Sequence, residues 1–355
     1  MFYSFTLLLQ ISFIVHNFSI NMIITYGAFL LVFTNALMLM AFSIAMEDAV
    51  MKIVDETNSS FWSTDSVGPE VQHFIRNKSA KTNNFLLSIY AVLLLSSIVM
   101  FPIFGDHREW SVCEVAFDHY LGAWSKFFTQ LLSWSCPVMF YVSLRPTGGI
   151  LYVIEGISLQ IFLINQRILQ VSDDHPDYDK LKVGQKILWQ NKIFHTLLSC
   201  IKHHVIIVKV FKKLLGIVKL TITMVIIIGV LGCIALVSFV MLVFENASTI
   251  MKLRLGVLST AAIIVIVLYC QAGQKISDQM EGIFDTLTQC SWYNWDAKNK
   301  QILLIFVKNS LKSCSLGFAG YVADYQLAVS IMRTSFSYGV VLYNLGSLSD
   351  NSNSH

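Results

Sequence analysis

His195, His203 and His204 are the residues of this chain best suited to metal chemistry, since imidazole is the commonest metal-ligating side chain. Neighbouring residues on a helix stand about 100° apart, so His203 and His204 cannot both face one ion. Seven cysteines, at positions 113, 136, 200, 233, 270, 290 and 314, include no C-x-x-C pair, and only Cys113 falls in a segment expected to meet an oxidising compartment. No H-E-x-x-H, no G-x-S-x-G and no glycine-rich phosphate loop occurs. Enzyme chemistry therefore has no residues to carry it, and no metal or cofactor is implied. What remains are four charges set within apolar segments, Arg145, Glu155, Asp324 and Arg333. Ionisable groups in hydrocarbon are costly and mark function or pairing.

The elements that must position these residues follow from composition. The chain has 355 residues, of which 55% are hydrophobic and 13% charged; soluble domains carry about 25% charged residues. Mean hydropathy is +0.62, and the net charge of +3 is too small to suggest nucleic-acid binding. A two-domain soluble enzyme, a disordered chain and a disulfide-rich secreted module are all excluded. With 25 Phe, 13 Tyr, 7 Trp and only 5 Pro, the composition predicts an all-α, multi-pass membrane protein.

A bilayer core about 30 Å thick needs roughly 20 apolar residues of helix. Stretches free of Asp, Glu, Lys and Arg predict seven spans, at about 1–16, 20–45, 84–104, 127–168, 217–244, 254–275 and 320–345, in one transmembrane domain covering 1–355. The first would rise only about 24 Å; a signal peptide is its rival, but the basic n-region and A-x-A-like cleavage site are missing. The fourth contains Pro137, Pro146 and Gly148-Gly149, and is read as one long kinked helix because two full spans would need a turn that these lengths barely allow.

Charge sets the expected orientation. Nineteen Lys and Arg lie in the loops after the second, fourth and sixth spans, against four, namely Arg108, Lys126, Lys252 and Arg254, on the other side. Cations accumulate in cytoplasmic loops, so the amino terminus is expected inside and the carboxyl terminus outside. A rhodopsin-like receptor has the opposite orientation. Sequons at Asn17 and Asn246 then face outward, whereas those at Asn58 and Asn77 face the cytoplasm. Residues 171–216 and 296–316 have helical spacing, the latter with Ile302, Leu303, Ile305, Phe306 and Leu311 as its apolar residues. They are expected as cytoplasmic helical extensions that pack on each other or on a second subunit, or else lie on the membrane surface.

Several of these stretches resemble the insect odorant receptor family. Tyr269-Cys270-x-x-Gly273 closes the sixth span, Cys290-Ser-Trp-Tyr293 follows in the loop, and Leu316-Gly-Phe-Ala-Gly320 precedes the last span. The final Ile331-Met-Arg-Thr-Ser-Phe-Ser-Tyr-Gly-Val-Val-Leu342 is similar to the family's most recurrent stretch, and Cys200-Ile-Lys-His-His204 has a counterpart ahead of the fifth span. The resemblance covers most of the chain from Leu86 and is specific over Gly256 to Leu345. The family topology, amino terminus inside, agrees with the charge count. Family members carry a cytoplasmic tail of a few dozen residues before the first helix, whereas this chain starts at that helix. The long loop insertion of the shared co-receptor is absent, so the chain resembles an odour-tuned subunit. A gustatory receptor of the same superfamily is the nearest alternative: its Thr-Tyr, five apolar residues, Gln-Phe ending is echoed by Ser337-Tyr338 and Asn344-Leu345. A membrane transporter is the more distant one.

The resemblance implies a ligand-gated, non-selective cation channel in the plasma membrane of olfactory neuron dendrites. Four subunits, co-receptor included, would surround one pore lined by the last helix. By similarity Val341 forms the apolar constriction, with Asn344 and Leu345 nearer the outer mouth. Arg333 would repel a permeant cation, so it is expected to point away, snorkelling toward the cytoplasm or pairing with Asp324; Arg145 and Glu155 are expected at interfaces or paired across their helix. A pocket for a small volatile ligand is implied between the second, third, fourth and sixth helices. Its candidate lining is Tyr26, Phe29 and Phe33, then Ser96, Val99 and Met100, then Trp134, Val138 and Met139, with Leu258 and Ala262. Aromatic and methionine walls suit a guest held by shape and dispersion.

Overall fold

The computed structural model describes residues 1–63, 68–99, 108, 111–173, 182–243, 247–311, 316–318 and 321–353. Helix follows helix: α1 (Phe2–His16), α2 (Ile20–Ser60), α3 (Pro69–Val99), α4 (Val112–Leu121), α5 (Ser125–Asp173), α6 (Val183–Val243), α7 (Thr249–Gln289), α8 (Ala297–Ser310) and α9 (Tyr325–Asn353). Hydroxyl and carboxylate caps start several of them. Ser19 accepts from the Met22 amide at 3.1 Å, Ser248 from Met251 at 3.2 Å, and Asp296 from Asn299 at 2.7 Å; each satisfies an amide that the first turn leaves unpaired. Between α4 and α5 the chain reverses at Gly122, whose φ of 52° suits a residue without Cβ.

Hydrocarbon leaves its mark on these helices. The parts Met22–Ser60, Val112–Val171, Val183–Met241 and Thr249–Gln289 contain helices long and apolar enough to cross a bilayer, and α1 is a shorter apolar helix. Of the most apolar window of α6, mean hydropathy 2.9, only 11% is buried within the protein. In water that much exposed apolar surface would drive aggregation; in lipid it is the expected exterior. Helix α6 has 61 residues, about 90 Å at 1.5 Å per residue, so it runs far beyond one bilayer. Its cations, Lys186 through Lys219, all precede the charge-free stretch from Leu220. Helix α5 runs without a break through Pro137 and Pro146.

The expected last span begins differently from the sequence reading. Gly317–Phe318 (β1) and Tyr321–Val322 (β2) pair antiparallel, and α9 starts only at Tyr325. Asp324 caps it, its Oδ1 accepting from the Leu327 amide at 2.8 Å. This corrects the expected Asp324–Arg333 pair: the carboxylate serves the helix start, more than two turns from Arg333. Arg145 and Glu155 reach other helices instead of each other. Arg145 meets Glu47 of α2 at 2.6 Å, and Glu155 pairs with Lys275 of α7.

The best-packed core lies at the end of the bundle expected to be cytoplasmic. Ile154, Ile157, Ile161, Ile164 and Ile168 form one stripe of α5, the spacing of a buried helical face. They share a cluster with Leu197, Cys200, Phe211 and Leu214 of α6, Ile276, Met280 and Ile283 of α7, and Phe306 of α8. At its edge Trp62 stacks on His203, ring centroids 4.0 Å apart, with the Arg167 guanidinium also 4.0 Å from the Trp62 ring. His203 Nε2 is 2.8 Å from Gln160 Oε1. Burial, with Arg167 nearby, lowers the His203 pKa to about 4. His204 turns toward Phe306 instead. The two histidines thus face different neighbours, and among the described residues no group of His, Cys, Asp and Glu could hold a metal.

Candidate functional site

Helix α2 turns Ala28, Leu31, Val32, Asn35, Ala36 and Leu39 to one side, a spacing of three and four that keeps all six on one face. Opposite stand Leu258, Ala261, Ala262, Val265, Ile266 and Tyr269 of α7, with Phe140, Ser143, Leu144 and Thr147 of α5 and a charge-free face of α6 from Ile222 to Leu236. Between them lies a cavity of about 230 Å³, which Leu316, Ala323, Leu327 and Ile331 also line. A smaller cavity of about 50 Å³, between α2, α4, α5 and α7, shares Val32, Phe140 and Leu258 with it.

Hydroxyls in the wall of the large cavity are already engaged. Ser96 donates to the Leu93 carbonyl at 2.6 Å, and Ser143 lies within hydrogen-bond reach of the carbonyls of Ala36 (2.9 Å) and Met139 (2.7 Å). Thr147 and the Tyr269 hydroxyl are 2.9 Å apart. What faces the space is therefore mostly carbon, a surface that holds a guest by shape and dispersion.

The structure brings together part of the predicted lining. Ser96, Leu258 and Ala262 face the large cavity; Phe29, Phe33, Met139 and again Leu258 face the small one. Tyr26 does neither: its hydroxyl donates to the Arg108 carbonyl at 3.0 Å and its ring packs near Phe13. Trp134 and Val138 are 68% and 61% exposed, on the outer side of α5. The reason is angular, since Met139 points inward and these two residues lie 100° or more around the helix from it, while Phe140, Ser143 and Thr147 occupy the inner face. Met100 and the side chain of Val99 lie outside the described residues. All of α6, and Asn35, Thr147 and Tyr269, were missing from the sequence expectation. Asn35 offered a signal, as the one carboxamide within the apolar face of α2 that continues from Ala28.

The pore candidates sit on α9. Ala328, Ile331, Ser335 and Gly339 form its buried face, which packs on α6. A Cβ at Gly339 would come within 2.5 Å of Val237 Cγ1, so only glycine permits this approach. Val341, Asn344 and Leu345 are exposed, away from that packed face. Gln326, Ser330, Arg333 and Ser337 are exposed as well and, with Asn344, form a polar line along the helix. Arg333 thus points off the bundle on the same broad face as the pore candidates, and among the described residues it makes no ion pair.

Ahead of α4, Arg108 binds Asp118 of that helix at 2.6 Å and approaches its Glu114 at 3.8 Å, while Ser125 donates to Asp118. These contacts tie α4 to the start of α5. Cys113 is buried among Phe33, Phe117, Leu132 and Met139, and burial pushes its thiol up to about 12, which keeps it protonated.

Comparison with known proteins supplies the family. Residues 19–336 match the family described as 7tm Odorant receptor. Odorant receptor 22c of Drosophila melanogaster is 25% identical over 119 residues, 31% of this chain and 30% of that relative. Among solved structures, the insect olfactory receptor OR5 from Machilis hrabei in complex with eugenol superposes with a TM-score of 0.62 at 10% identity, covering 97% of this chain and 87% of that one. The same receptor described without eugenol gives 0.61 over the same shares. At that identity the superposition speaks to the fold, a nearly all-helical membrane architecture, and the match across residues 19–336 speaks to descent: the chain belongs to the seven-transmembrane odorant receptor family, a family of receptors rather than enzymes.

Proposed function

We propose that this chain is the odour-tuned subunit of a ligand-gated, non-selective cation channel, assembled as four subunits with the shared co-receptor in the plasma membrane of olfactory neuron dendrites. The chain spans the membrane seven times, amino terminus inside, a reading supported by the bias of nineteen cations to four between its loops. Its cytoplasmic helical extensions, 171–216 and 296–316, form the anchor on which subunits meet. The observation that carries the proposal is the reach of the large cavity. Leu327 and Ile331 of α9 belong to its wall, while Val341, Asn344 and Leu345 stand on the exposed side of the same helix. A volatile guest lodged among Ser96, Leu258, Ala262 and their neighbours therefore touches the helix that carries the gate. A guest that fits better when α9 has shifted stabilises the shifted state, and an apolar ring of Val341 side chains opens by rewetting.

Recording odour-evoked current from cells expressing this chain with the co-receptor tests the proposal. Leu258→Trp, at the junction of the two cavities, is expected to abolish that current with surface expression unchanged. Unaltered odour responses in Leu258→Trp, or silence of the wild type across a broad volatile panel, would refute it.

A further inference from the structure

Of the four charges set within apolar segments, three are engaged: Arg145 by Glu47, Glu155 by Lys275 and Asp324 by the start of α9. Arg333 is exposed and, among the described residues, makes no ion pair. An arginine keeps its charge in proteins, so lipid cannot neutralise it. Its depth follows from its neighbours. Ala323, just before α9, abuts Gly273, which lies at the end of the charge-free run 255–274 of α7. Helix α9 therefore enters hydrocarbon within its first turn. Arg333, eight residues beyond Tyr325, stands about 12 Å inside a core about 30 Å thick, a costly place on a surface that meets lipid. The rest of its helix face says what meets it. Gln326, Ser330, Ser337, Val341 and Asn344 share an arc of about 80° with Arg333, opposite the face that packs on α6. The exposed shoulders of this line are apolar or aromatic, Val329, Met332 and Phe336 on one side, Tyr338 and Leu345 on the other. Such shoulders suit lipid or neighbouring subunits, and the polar line between them suits water.

Resting on the reading of α9 as the pore helix, we propose that Arg333 faces the lumen and is a specificity-determining residue of conduction, its fixed positive charge holding calcium back relative to sodium. It lies about 12 Å along the helix from Val341, in the approach to the constriction. Repulsion is proportional to the charge of the ion, so a divalent cation is opposed twice as strongly as a monovalent one. At about 7 Å through water at physiological salt, one guanidinium lowers the calcium-to-sodium permeability ratio about twofold. Each further copy of the chain in the assembly multiplies the effect.

The test is the reversal potential between calcium and sodium solutions, recorded from cells expressing the full chain with the co-receptor. The channel is opened with a mixture of eugenol and straight-chain alcohols, aldehydes, ketones and acetate esters. Arg333→Gln is expected to raise the permeability ratio for calcium over sodium about twofold, and Arg333→Glu to raise it further. Arg333→Lys keeps the charge and is expected to keep the wild-type ratio. Surface labelling reports that each variant is folded and delivered. Ser337→Lys, which adds a charge to the same line one turn nearer Val341, is expected to lower the ratio, and it decides the matter if the Arg333 variants do not reach the surface. An equal ratio in wild type, Arg333→Gln and Arg333→Glu, a smaller current with an unmoved reversal potential, or an unmoved ratio in Ser337→Lys overturns the lumenal role of Arg333 while leaving the channel reading intact. Silence of the surface-expressed wild type to the mixture overturns the channel reading, and the Arg333 proposal with it.

Discussion

Replacing Gly273 by alanine places one methyl group where α7 passes the segment leading into α9. The added Cβ would lie 3.0 Å from the Ala323 carbonyl carbon and 3.1 Å from its Cβ, and well inside contact distance of the Ala323 carbonyl oxygen. Ordinary contacts between such atoms are about 3.5–4.0 Å, so something must move by more than half an ångström. The obstacle is backbone and it is tethered: the Ala323 amide donates to the Leu316 carbonyl at 2.8 Å, and Asp324 both donates to Val322 at 3.0 Å and caps α9. Overpacking of this kind costs about 1–3 kcal/mol. On the same helix, Gly256 provides the control, because a Cβ there meets nothing within 4 Å. Gly256→Ala is therefore expected to stabilise the chain by roughly 0.5–1 kcal/mol through helix propensity alone. Thermal unfolding of the two full-length variants in detergent, followed by size-exclusion fluorescence, should move the midpoints in opposite directions. Because the strain is delivered to the start of α9, Gly273→Ala should also alter basal current if the chain forms the proposed channel. A Gly273→Ala protein that melts with the wild type would refute the close-approach argument.

Three other expectations follow from the structure. The His203 pKa is lowered from 6.5 to about 4, so the unfolded chain binds the extra proton first; His203 contributes stability that is intact above its ordinary pKa and is lost as pH falls from there toward about 4. With screening allowed for, the loss is about 1–2 kcal/mol, and His203→Gln should flatten that part of a pH–stability profile. Lys275→Met leaves the partly buried Glu155 carboxylate without its partner and should cost about 1–2 kcal/mol in thermal unfolding, part of it recovered when Glu155→Gln is added. An epitope tag after His355 should be labelled in intact cells, and the Asn17 sequon, which is exposed at the end of α1, should accept a glycan; labelling only after permeabilisation would reverse the proposed orientation.

Much of the architecture was legible because its causes are local. Leu220 to Met241 carries no charge and must sit in hydrocarbon, where a helix satisfies its own backbone. The family was readable too, and the match over residues 19–336 bears it out. Gly273, noted only as part of a motif, acquires its reason from Ala323. The candidate site was legible only in pieces. Phe29, Phe33, Ser96, Met139, Leu258 and Ala262 reach one cavity or the other, whereas Tyr26 is drawn aside by the Arg108 carbonyl, and Trp134 and Val138 face outward.

By itself the sequence determined that the protein is a helical membrane protein of this family, since charge-free length and charge placement act segment by segment. Only the tertiary structure decided which faces of those helices enclose a space. In a soluble helix the polar stripe reveals the buried side; in α6, lipid and protein interior are equally apolar, and Ile222, Val225 and Gly229 look no different from residues facing lipid. A cavity is a place that side chains leave unfilled, set by the packing of several helices at once.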